Sequence, residues 1–207
     1  MAILLPGGAG YIGSHTAVEL LKNGKEIIIM DNFSNSSSKS LEAIKKITGK
    51  KFKFYEMDYS DREKLEVVFK ENQIDAVLNF AGYKAVGESI QKPIEYYTNN
   101  ISGALVLLDV MRKYGCKKFI FSSSATVYGE PEKIPLTEEC KIGGTTNPYG
   151  TTKLFIEQIL KDIYRSDNTW DICILRYFNP VGAHESGLIG EEPKGIPNNL
   201  MPYVARV

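Results

Sequence analysis

The sequence predicts an α/β protein with a doubly wound parallel sheet and helices on both faces. Short apolar runs rich in branched residues recur along the 207 residues, and each is followed by a longer stretch with helical spacing. Strands that alternate with helices pair in parallel through right-handed crossovers, which bury both faces of the sheet. Because ligands of such sheets bind beyond the carboxyl ends of the strands, the residues that follow each strand are candidates for a functional site.

The predicted elements alternate in the order that this fold requires. We predict strands over residues 2–5, 26–30, 52–56, 76–80, 118–122 and 171–176, and helices over 11–23, 41–48, 61–72, 94–113 and 149–165. Ser60 and Glu63 fit a capping box at the start of the third helix. Gly24 and Gly115 each follow a helix end, where a left-handed residue is expected. From Pro180 onward glycines and prolines crowd together, which indicates a boundary rich in loops.

Composition excludes several classes of protein. Lys plus Arg and Asp plus Glu both total 25, so a chain-wide basic bias for nucleic acid is absent. No apolar run approaches the roughly 18 residues of a membrane span, and no secretory signal is visible. Three widely spaced cysteines and two histidines argue against a disulfide framework and a metal centre. These features favour a reducing compartment, and we expect a cytoplasmic protein without nucleic-acid or membrane partners.

A glycine-rich turn follows the first predicted strand and opens a helix. Alone, such a turn is weak evidence for a dinucleotide site, since a tight turn explains about half of such matches. Here Gly7, Gly10 and Gly13 would let the backbone turn, approach a pyrophosphate and pack the helix on the strand. Asp31 ends the second strand, where a carboxylate accepts ribose hydroxyls and repels a 2′-phosphate. No Arg or Lys lies between Asp31 and Ser38, so the predicted cofactor is NAD rather than NADP.

The next strand ends offer weaker signals. Asp58 either caps the following helix or contacts adenine, and we favour adenine because Ser60 fits the capping role. Small residues after the fourth strand permit close backbone approach to a ligand. Lys84 in this loop would meet a phosphate or ribose, although a lone loop lysine is more often simply solvated.

A candidate catalytic group follows the fifth strand. Tyr149 and Lys153 lie four residues apart and share one helical face. A nearby ammonium group would favour the phenolate and lower the phenol pKa toward neutral pH. Such pairs are common by chance, but this one occurs with a glycine-rich first turn and with Ser124 near the end of an earlier strand.

These motifs together resemble the extended short-chain dehydrogenase/reductase superfamily and, within it, the epimerases that act on carbon 4 of UDP-hexoses. The resemblance covers the whole chain and implies a Rossmann-type fold. It is carried by GGAGYIGSH at 7–15, DNFSNS at 31–36, KAVGES at 84–89, YTNN at 97–100, SSSATVYG at 122–129, LRYFNPVGAH at 175–184 and PNNLMPY at 197–203.

The resemblance implies roles for particular residues. Ser124, Tyr149 and Lys153 would form the catalytic group and also contact the cofactor. Substrate contacts would come from Ser124, Tyr149, Asn179, Asn199 and Leu200. The remaining cofactor contacts would be Gly7, Gly10, Tyr11, Ile12, Gly13, Asp31, Asn32, Phe33, Ser34, Asn35, Ser36, Asp58, Tyr59, Phe80, Ala81, Gly82, Tyr83, Lys84, Asn99 and Phe178.

The implied activity is NAD-dependent epimerisation between UDP-glucose and UDP-galactose through a transient 4-keto intermediate. The resemblance also allows a homodimer that pairs the outer faces of the two longest helices, and it implies a role in galactose metabolism. Because histidines and cysteines are few, we expect no metal. A nucleotide-sugar 4,6-dehydratase is an alternative, but these relatives place Asp-Glu after the catalytic hydroxyl residue, where this chain has Ala125 and Thr126.

The chain departs from the resembled pattern in two respects. Pro6 stands where the family usually has threonine, directly before Gly7, and removes one backbone donor. Whole epimerases are also longer, so the chain looks truncated at its C-terminus. We therefore expect an NAD-binding domain over residues 1–180 and the incomplete beginning of a small substrate domain over 181–207. An NAD-binding module without independent catalysis, or one part of a split enzyme, is the alternative from another class.

Overall fold

A computed structural model describes residues 1–192 and 199–204. Six strands form one parallel sheet in the order β3-β2-β1-β4-β5-β6, which is the doubly wound arrangement expected from the sequence. The strands are β1 (Ala2–Pro6), β2 (Glu26–Asp31), β3 (Lys53–Glu56), β4 (Ile74–Asn79), β5 (Lys118–Ser124) and β6 (Asp171–Tyr177). The strand order reverses between β1 and β4, so a crevice is expected beyond their carboxyl ends.

Helices cover both faces of the sheet. They are α1 (Tyr11–Lys22), α2 (Lys39–Thr48), α3 (Arg62–Glu71), α4 (Val86–Gln91), α5 (Pro93–Tyr97), α6 (Gly103–Lys113), α7 (Pro148–Ser166) and α8 (Leu200–Val204). Alternate residues of the central strands face opposite layers. Leu4 packs in a cluster with α3, α6 and α7, whereas Leu5 packs in a second cluster with α1 and α2. The continuous apolar runs of the sequence reflect this burial on both sides.

All six predicted strands and all five predicted helices are present, with shifts of a few residues at their ends. The predicted helix over 94–113 follows one helical path through α5 and α6, joined by a π-helical turn over Thr98–Ser102. Sequence reasoning missed α4 and a short 3₁₀ helix over Ala125–Tyr128. Both are too short to show a clear helical period in the sequence.

The predicted capping box at Ser60 is wrong. Asp61 is the N-cap of α3, and its side chain accepts a hydrogen bond from the Lys64 amide. Ser60 instead donates its amide and hydroxyl to Asp58, because an aspartate readily closes a turn with the residue two positions on. The helix-end glycines behave as predicted, since Gly24 and Gly115 have φ of 74° and 71°.

Pro6 is the last residue of β1, one residue beyond the predicted end of this strand. Its register with Met30 of β2 is kept, and the Gly7 amide donates to the Met30 carbonyl. On the other side, the pairing of β1 with β4 is last registered at Leu4 with Val77, although the Phe80 amide donates to the Pro6 carbonyl. The missing N–H of proline therefore lies near the end of the ladder, where the strand tolerates it.

Candidate cofactor and catalytic site

A cavity of about 620 Å³ lies beyond the carboxyl ends of β1, β2 and β4. This is the position at which the strand order predicts a ligand crevice. Seventeen of the predicted site residues line it: Gly7, Gly10, Tyr11, Ile12, Gly13, Asp31, Asn32, Ser34, Asn35, Ser36, Tyr59, Phe80, Ala81, Gly82, Tyr83, Lys84 and Asn99.

The glycine-rich loop has no room for side chains. Gly7 has φ of 73°, and a Cβ there would lie 2.6 Å from the Ala81 backbone nitrogen. A Cβ at Gly13 would lie 2.5 Å from the Gly7 carbonyl oxygen and 2.7 Å from the Gly8 Cα. The loop and α1 are thus packed backbone to backbone, which leaves the start of α1 open to the cavity as a place for an anion.

Asp31 organises the loop that follows β2. Its carboxylate accepts hydrogen bonds from the Ala9 amide at 3.0 Å, the Phe33 amide at 2.9 Å and the Ser36 hydroxyl at 2.7 Å. The residue is largely buried yet borders the cavity.

Asp58 lies just outside the cavity. Its Oδ1 accepts from Ser60 and its Oδ2 accepts from Asn32 Nδ2 at 2.8 Å. The reason given for an adenine contact, that Ser60 caps α3, was therefore wrong. Asn32 does line the cavity, so Asp58 acts on that surface through its neighbour.

The other predicted residues do not line this cavity. Phe33 packs against Phe54 with the two rings tilted by 33°, and Phe178 lines a second cavity of about 470 Å³ beside β6. Asn179 and Leu200 are exposed, and Asn199 is half-buried. Several lining residues were not predicted: Ala9, Ser14, Met30, Ser37, Lys39, Ser40, Met57, Ser122, Ala183, Gly187, Leu188, Ile189, Gly190, Glu191 and Glu192.

Ser124, Tyr149 and Lys153 come together at the edge of the cavity. The Lys153 ammonium lies 5.8 Å from the centre of the Tyr149 ring and donates to the Ser122 carbonyl at 2.8 Å. Ser122 lines the cavity, and a Cβ at Gly82 would lie 3.9 Å from Lys153 Nζ. The predicted catalytic group therefore borders the loop of β4 that was predicted to hold the cofactor.

Burial changes the acid–base properties of this group. It raises the pKa of the Tyr149 phenol, and the hydrogen bond with Ser124 opposes that effect only partly. The pKa of Lys153 falls to about 8, because its ammonium is buried. The expectation that Lys153 lowers the pKa of Tyr149 is thus contradicted in this arrangement: desolvation dominates, and the ammonium is bonded to Ser122.

Asn100 is a structural residue of the site that sequence reasoning missed. Its Oδ1 accepts from the Tyr83 amide at 2.8 Å, and its Nδ2 donates to the Tyr83 carbonyl and to Thr152 Oγ1 at 3.1 and 3.0 Å. The side chain is almost fully buried, and Thr152 lies on α7 between Tyr149 and Lys153. Asn100 therefore links the loop after β4 to the helix that carries the catalytic pair.

A buried ion pair supports the same helix from behind. Glu157 of α7 is fully buried and accepts from Arg176 Nε at 3.0 Å and Arg176 Nη2 at 2.8 Å. The Ser123 hydroxyl donates to Glu157 at 2.6 Å, and Arg176 Nη1 donates to the Tyr128 hydroxyl at 2.9 Å. The pair joins α7 to β5 and β6 directly beside Ser124.

Residues 182–192, which we call the strap, cross the cavity. The Tyr11 hydroxyl donates to the Gly182 carbonyl at 2.5 Å, and Ile189 is buried in the cluster of α1 and α2. Ala183 and residues 187–192 line the cavity. No sequence signal predicted this contact, because the glycine-rich composition of the strap indicates only a loop.

Among the described residues, no helix combines the length and apolar character of a membrane span. The same part of the chain holds no group of three or more His, Cys, Asp or Glu side chains placed to bind a metal ion.

Comparison with known proteins identifies relatives over the whole chain. Residues 3–207 match the model of the NAD dependent epimerase/dehydratase family. UDP-glucose 4-epimerases of Haemophilus influenzae and Bacillus subtilis are 63% and 61% identical over 207 residues. These alignments include all of this chain but only 61% of either relative, so the chain spans about three fifths of their length.

Solved structures of UDP-glucose 4-epimerases are also similar to this chain. A UDP-glucose 4-epimerase from Bifidobacterium longum, crystallised with NAD+ and UDP, is 60% identical with a TM-score of 0.98, and the match covers 100% of this chain and 62% of that one. The enzyme from Stenotrophomonas maltophila, with bound NAD and formylated UDP-arabinopyranose, is 47% identical with a TM-score of 0.96, over 100% of this chain and 61% of that one.

Proposed function

The chain belongs to the NAD dependent epimerase/dehydratase family, and from this membership we propose that it supplies the cofactor site and catalytic group for epimerisation at carbon 4 of a UDP-hexose. The observation that carries the proposal is the position of Ser124, Tyr149 and Lys153 at the edge of the cavity. The relatives named above are UDP-glucose 4-epimerases, which supports UDP-glucose and UDP-galactose as the substrates.

The residues around the cavity fit NAD. Gly7 and Gly13 have no room for a Cβ, so the loop packs closely on its neighbours, and the start of α1 borders the cavity where a pyrophosphate would bind. Asp31 and the loop over 32–36 would hold the adenosine ribose, with Asp58 and Tyr59 near the adenine. Phe80, Ala81, Gly82, Tyr83, Lys84, Asn99 and Phe178 would complete the contacts along the cofactor. NAD, when bound, supplies the acceptor and then the donor of the hydride at carbon 4.

We propose that Tyr149 removes the proton from the 4-hydroxyl of the sugar. Its phenol must first lose a proton, and burial opposes this in the present arrangement. Lys153 would assist once its ammonium faces the phenolate, because a nearby positive charge stabilises the charged form. Ser124 hydrogen-bonds Tyr149 and would hold or relay the proton. The 4-keto sugar would then turn within the site and be reduced on its opposite face.

Epimerisation is favoured over dehydration by the residues beside Ser124. Ala125 and Thr126 follow it in a 3₁₀ helix, and neither can act as the extra acid that a 4,6-dehydratase needs. Asn179, Asn199 and Leu200 would contact the nucleotide sugar. Residues 1–180 would form the NAD-binding domain, with 181–207 as the beginning of the substrate-binding domain.

A homodimer is proposed on the outer helices. Ile94, Leu105 and Phe155 are large apolar residues that are 76%, 46% and 49% exposed, and Phe155 stacks on Tyr97 across α5 and α7. Pairing of this face with a second copy would bury it. A cytoplasmic location and a role in galactose metabolism are part of the same proposal, supported by the two epimerases that share more than 60% identity with the chain.

The decisive experiment assays the chain beside a version extended at its C-terminus to the length of its relatives. UDP-galactose is added with NAD, reduction of NAD is followed by near-ultraviolet absorbance, and the sugar product is identified by NMR. UDP-glucose as product supports the proposal, whereas a 4-keto-6-deoxy sugar indicates a dehydratase. Cofactor binding by both proteins, with neither reduction of NAD nor formation of a sugar product, would show a binding module instead.

A further inference from the structure

We infer that Glu191 is a positioning residue that couples the cofactor site to the substrate site, an inference that rests on the proposed function. Its Oε1 atom accepts from Lys84 Nζ at 3.2 Å and from Asn199 Nδ2 at 2.8 Å. Lys84 lines the cofactor cavity, and Asn199 is proposed to meet the nucleotide sugar. One oxygen atom thus holds a side chain from each site.

The surroundings of Glu191 make these contacts more than a surface ion pair. Its side chain is 12% exposed, whereas that of Lys84 is 50% exposed. A carboxylate that is largely shielded from water needs its partners, because an unpaired buried charge is costly. It is also screened less by salt than an exposed group.

The strap keeps Glu191 at the phosphate end of the cavity. Ile189, two residues earlier, is buried in the apolar cluster, and Gly182 is held by the Tyr11 hydroxyl. The negative charge of Glu191 contributes, after burial, to raising the pKa of Tyr11, which follows Gly10 in the glycine-rich loop. Glu191 therefore acts on the region where the cofactor pyrophosphate is proposed to bind.

Competition for Lys84 provides the coupling. A pyrophosphate and Glu191 are both anions and would compete for the ammonium group of Lys84. When Lys84 turns to the pyrophosphate, the Glu191 carboxylate is less neutralised and holds Asn199 more strongly. Cofactor binding should then strengthen nucleotide binding, and by linkage the nucleotide must strengthen cofactor binding by the same factor.

The test measures this factor by calorimetry on the 207-residue chain. NAD and uridine diphosphate are each titrated alone and with the other at saturation, for wild type, Glu191→Ala and Glu192→Ala. Glu192 is the matched control, since it is an exposed carboxylate that lines the same cavity. For wild type we expect each ligand to bind about fivefold more tightly when the other is present at saturation.

In Glu191→Ala the factor should fall to about one, while NAD alone binds about threefold more tightly because Lys84 is released. Uridine diphosphate alone should bind about threefold more weakly, because Asn199 has lost its acceptor. Glu192→Ala should keep the wild-type factor. If Glu191→Ala does not fold, Glu191→Gln removes the charge but keeps an acceptor, and it should show the gain in NAD affinity with a reduced factor.

The outcomes separate the inference from the proposed function. Wild type that fails to bind NAD or uridine diphosphate would overturn the proposed function and the inference together. Wild type that binds both ligands independently would overturn the inference alone. The same holds if Glu191→Ala keeps the coupling or if Glu192→Ala removes it equally.

Discussion

The Lys153 ammonium donates to the backbone carbonyl of Ser122 across 2.8 Å, and burial lowers its pKa from the ordinary value of 10.5 to about 8. In the unfolded chain the same amine stays protonated to higher pH. Between about pH 8 and pH 10.5 the unfolded state therefore binds more protons than the folded state. Stability from this group must rise with pH across that window and is lowest below it.

Replacement of Lys153 by methionine should remove this pH dependence. Relative to Lys153→Met, the free energy of unfolding of wild type should increase by up to roughly 3 kcal/mol from pH 8 to pH 10.5. Urea unfolding at both pH values measures the difference. Lys70→Met removes an exposed lysine and serves as control, with no comparable change. A parallel pH profile for wild type and Lys153→Met would contradict the burial of a titrating ammonium.

Tyr149→Phe should abolish catalysis and leave NAD binding intact. Loss of the proton-transferring hydroxyl should lower turnover of UDP-galactose by about 10² to 10⁴-fold in whichever length of the chain is active. Turnover and NAD affinity are measured on the same preparation. Tyr164→Phe, an exposed tyrosine on the same helix, should behave as wild type. Wild-type turnover in Tyr149→Phe would remove this residue from the mechanism.

Gly13→Ala should disrupt the cofactor loop. Its new Cβ would lie 2.5 Å from the Gly7 carbonyl oxygen, so the loop or α1 must shift. We expect NAD affinity to fall below detection and stability to fall by about 1 to 3 kcal/mol. Gly87→Ala is the matched control, because nothing lies within 4 Å of its added Cβ, and it should be neutral or slightly stabilising. Equal NAD affinity in the two variants would show that close backbone packing is not needed.

Removal of one partner of the Glu157–Arg176 ion pair should strongly destabilise the protein. Glu157→Gln leaves a guanidinium without its counter-charge and should lower the free energy of unfolding by about 3 to 5 kcal/mol. The double variant Glu157→Leu with Arg176→Met should recover most of that loss, since no buried charge then remains. Denaturant unfolding of wild type, Glu157→Leu, Arg176→Met and the double variant gives the coupling free energy between the two residues. If the losses in free energy of unfolding from the two single substitutions simply add up in the double variant, the two residues do not stabilise the protein through each other.

Sequence reasoning found the sheet because each buried strand is a short, self-contained apolar run. It also found the glycine-rich loop, because glycines spaced in this way directly after a strand are visible in the sequence. The backbone that crowds Gly7 belongs to Ala81, far along the chain, and could not be foreseen. Asn100 escaped because its partners, Tyr83 and Thr152, lie far away in the chain and meet it only in the folded protein. The direction of the Tyr149 pKa shift escaped for a related reason, since desolvation depends on packing that a spacing of four residues does not reveal.

The π-helical turn over Thr98–Ser102 has a further consequence, for insertions and deletions along this helix. A π-turn accommodates one extra residue without redirecting the helix on either side. Deletion of one residue here should let the helix continue as a regular α-helix, with α5 and α6 keeping their faces. The same deletion inside α6 would rotate every later side chain of that helix by about 100° and expose its apolar face. The fold should therefore tolerate a change of length at this turn if Asn99 and Asn100 are kept, and should reject the same change one or two turns further on.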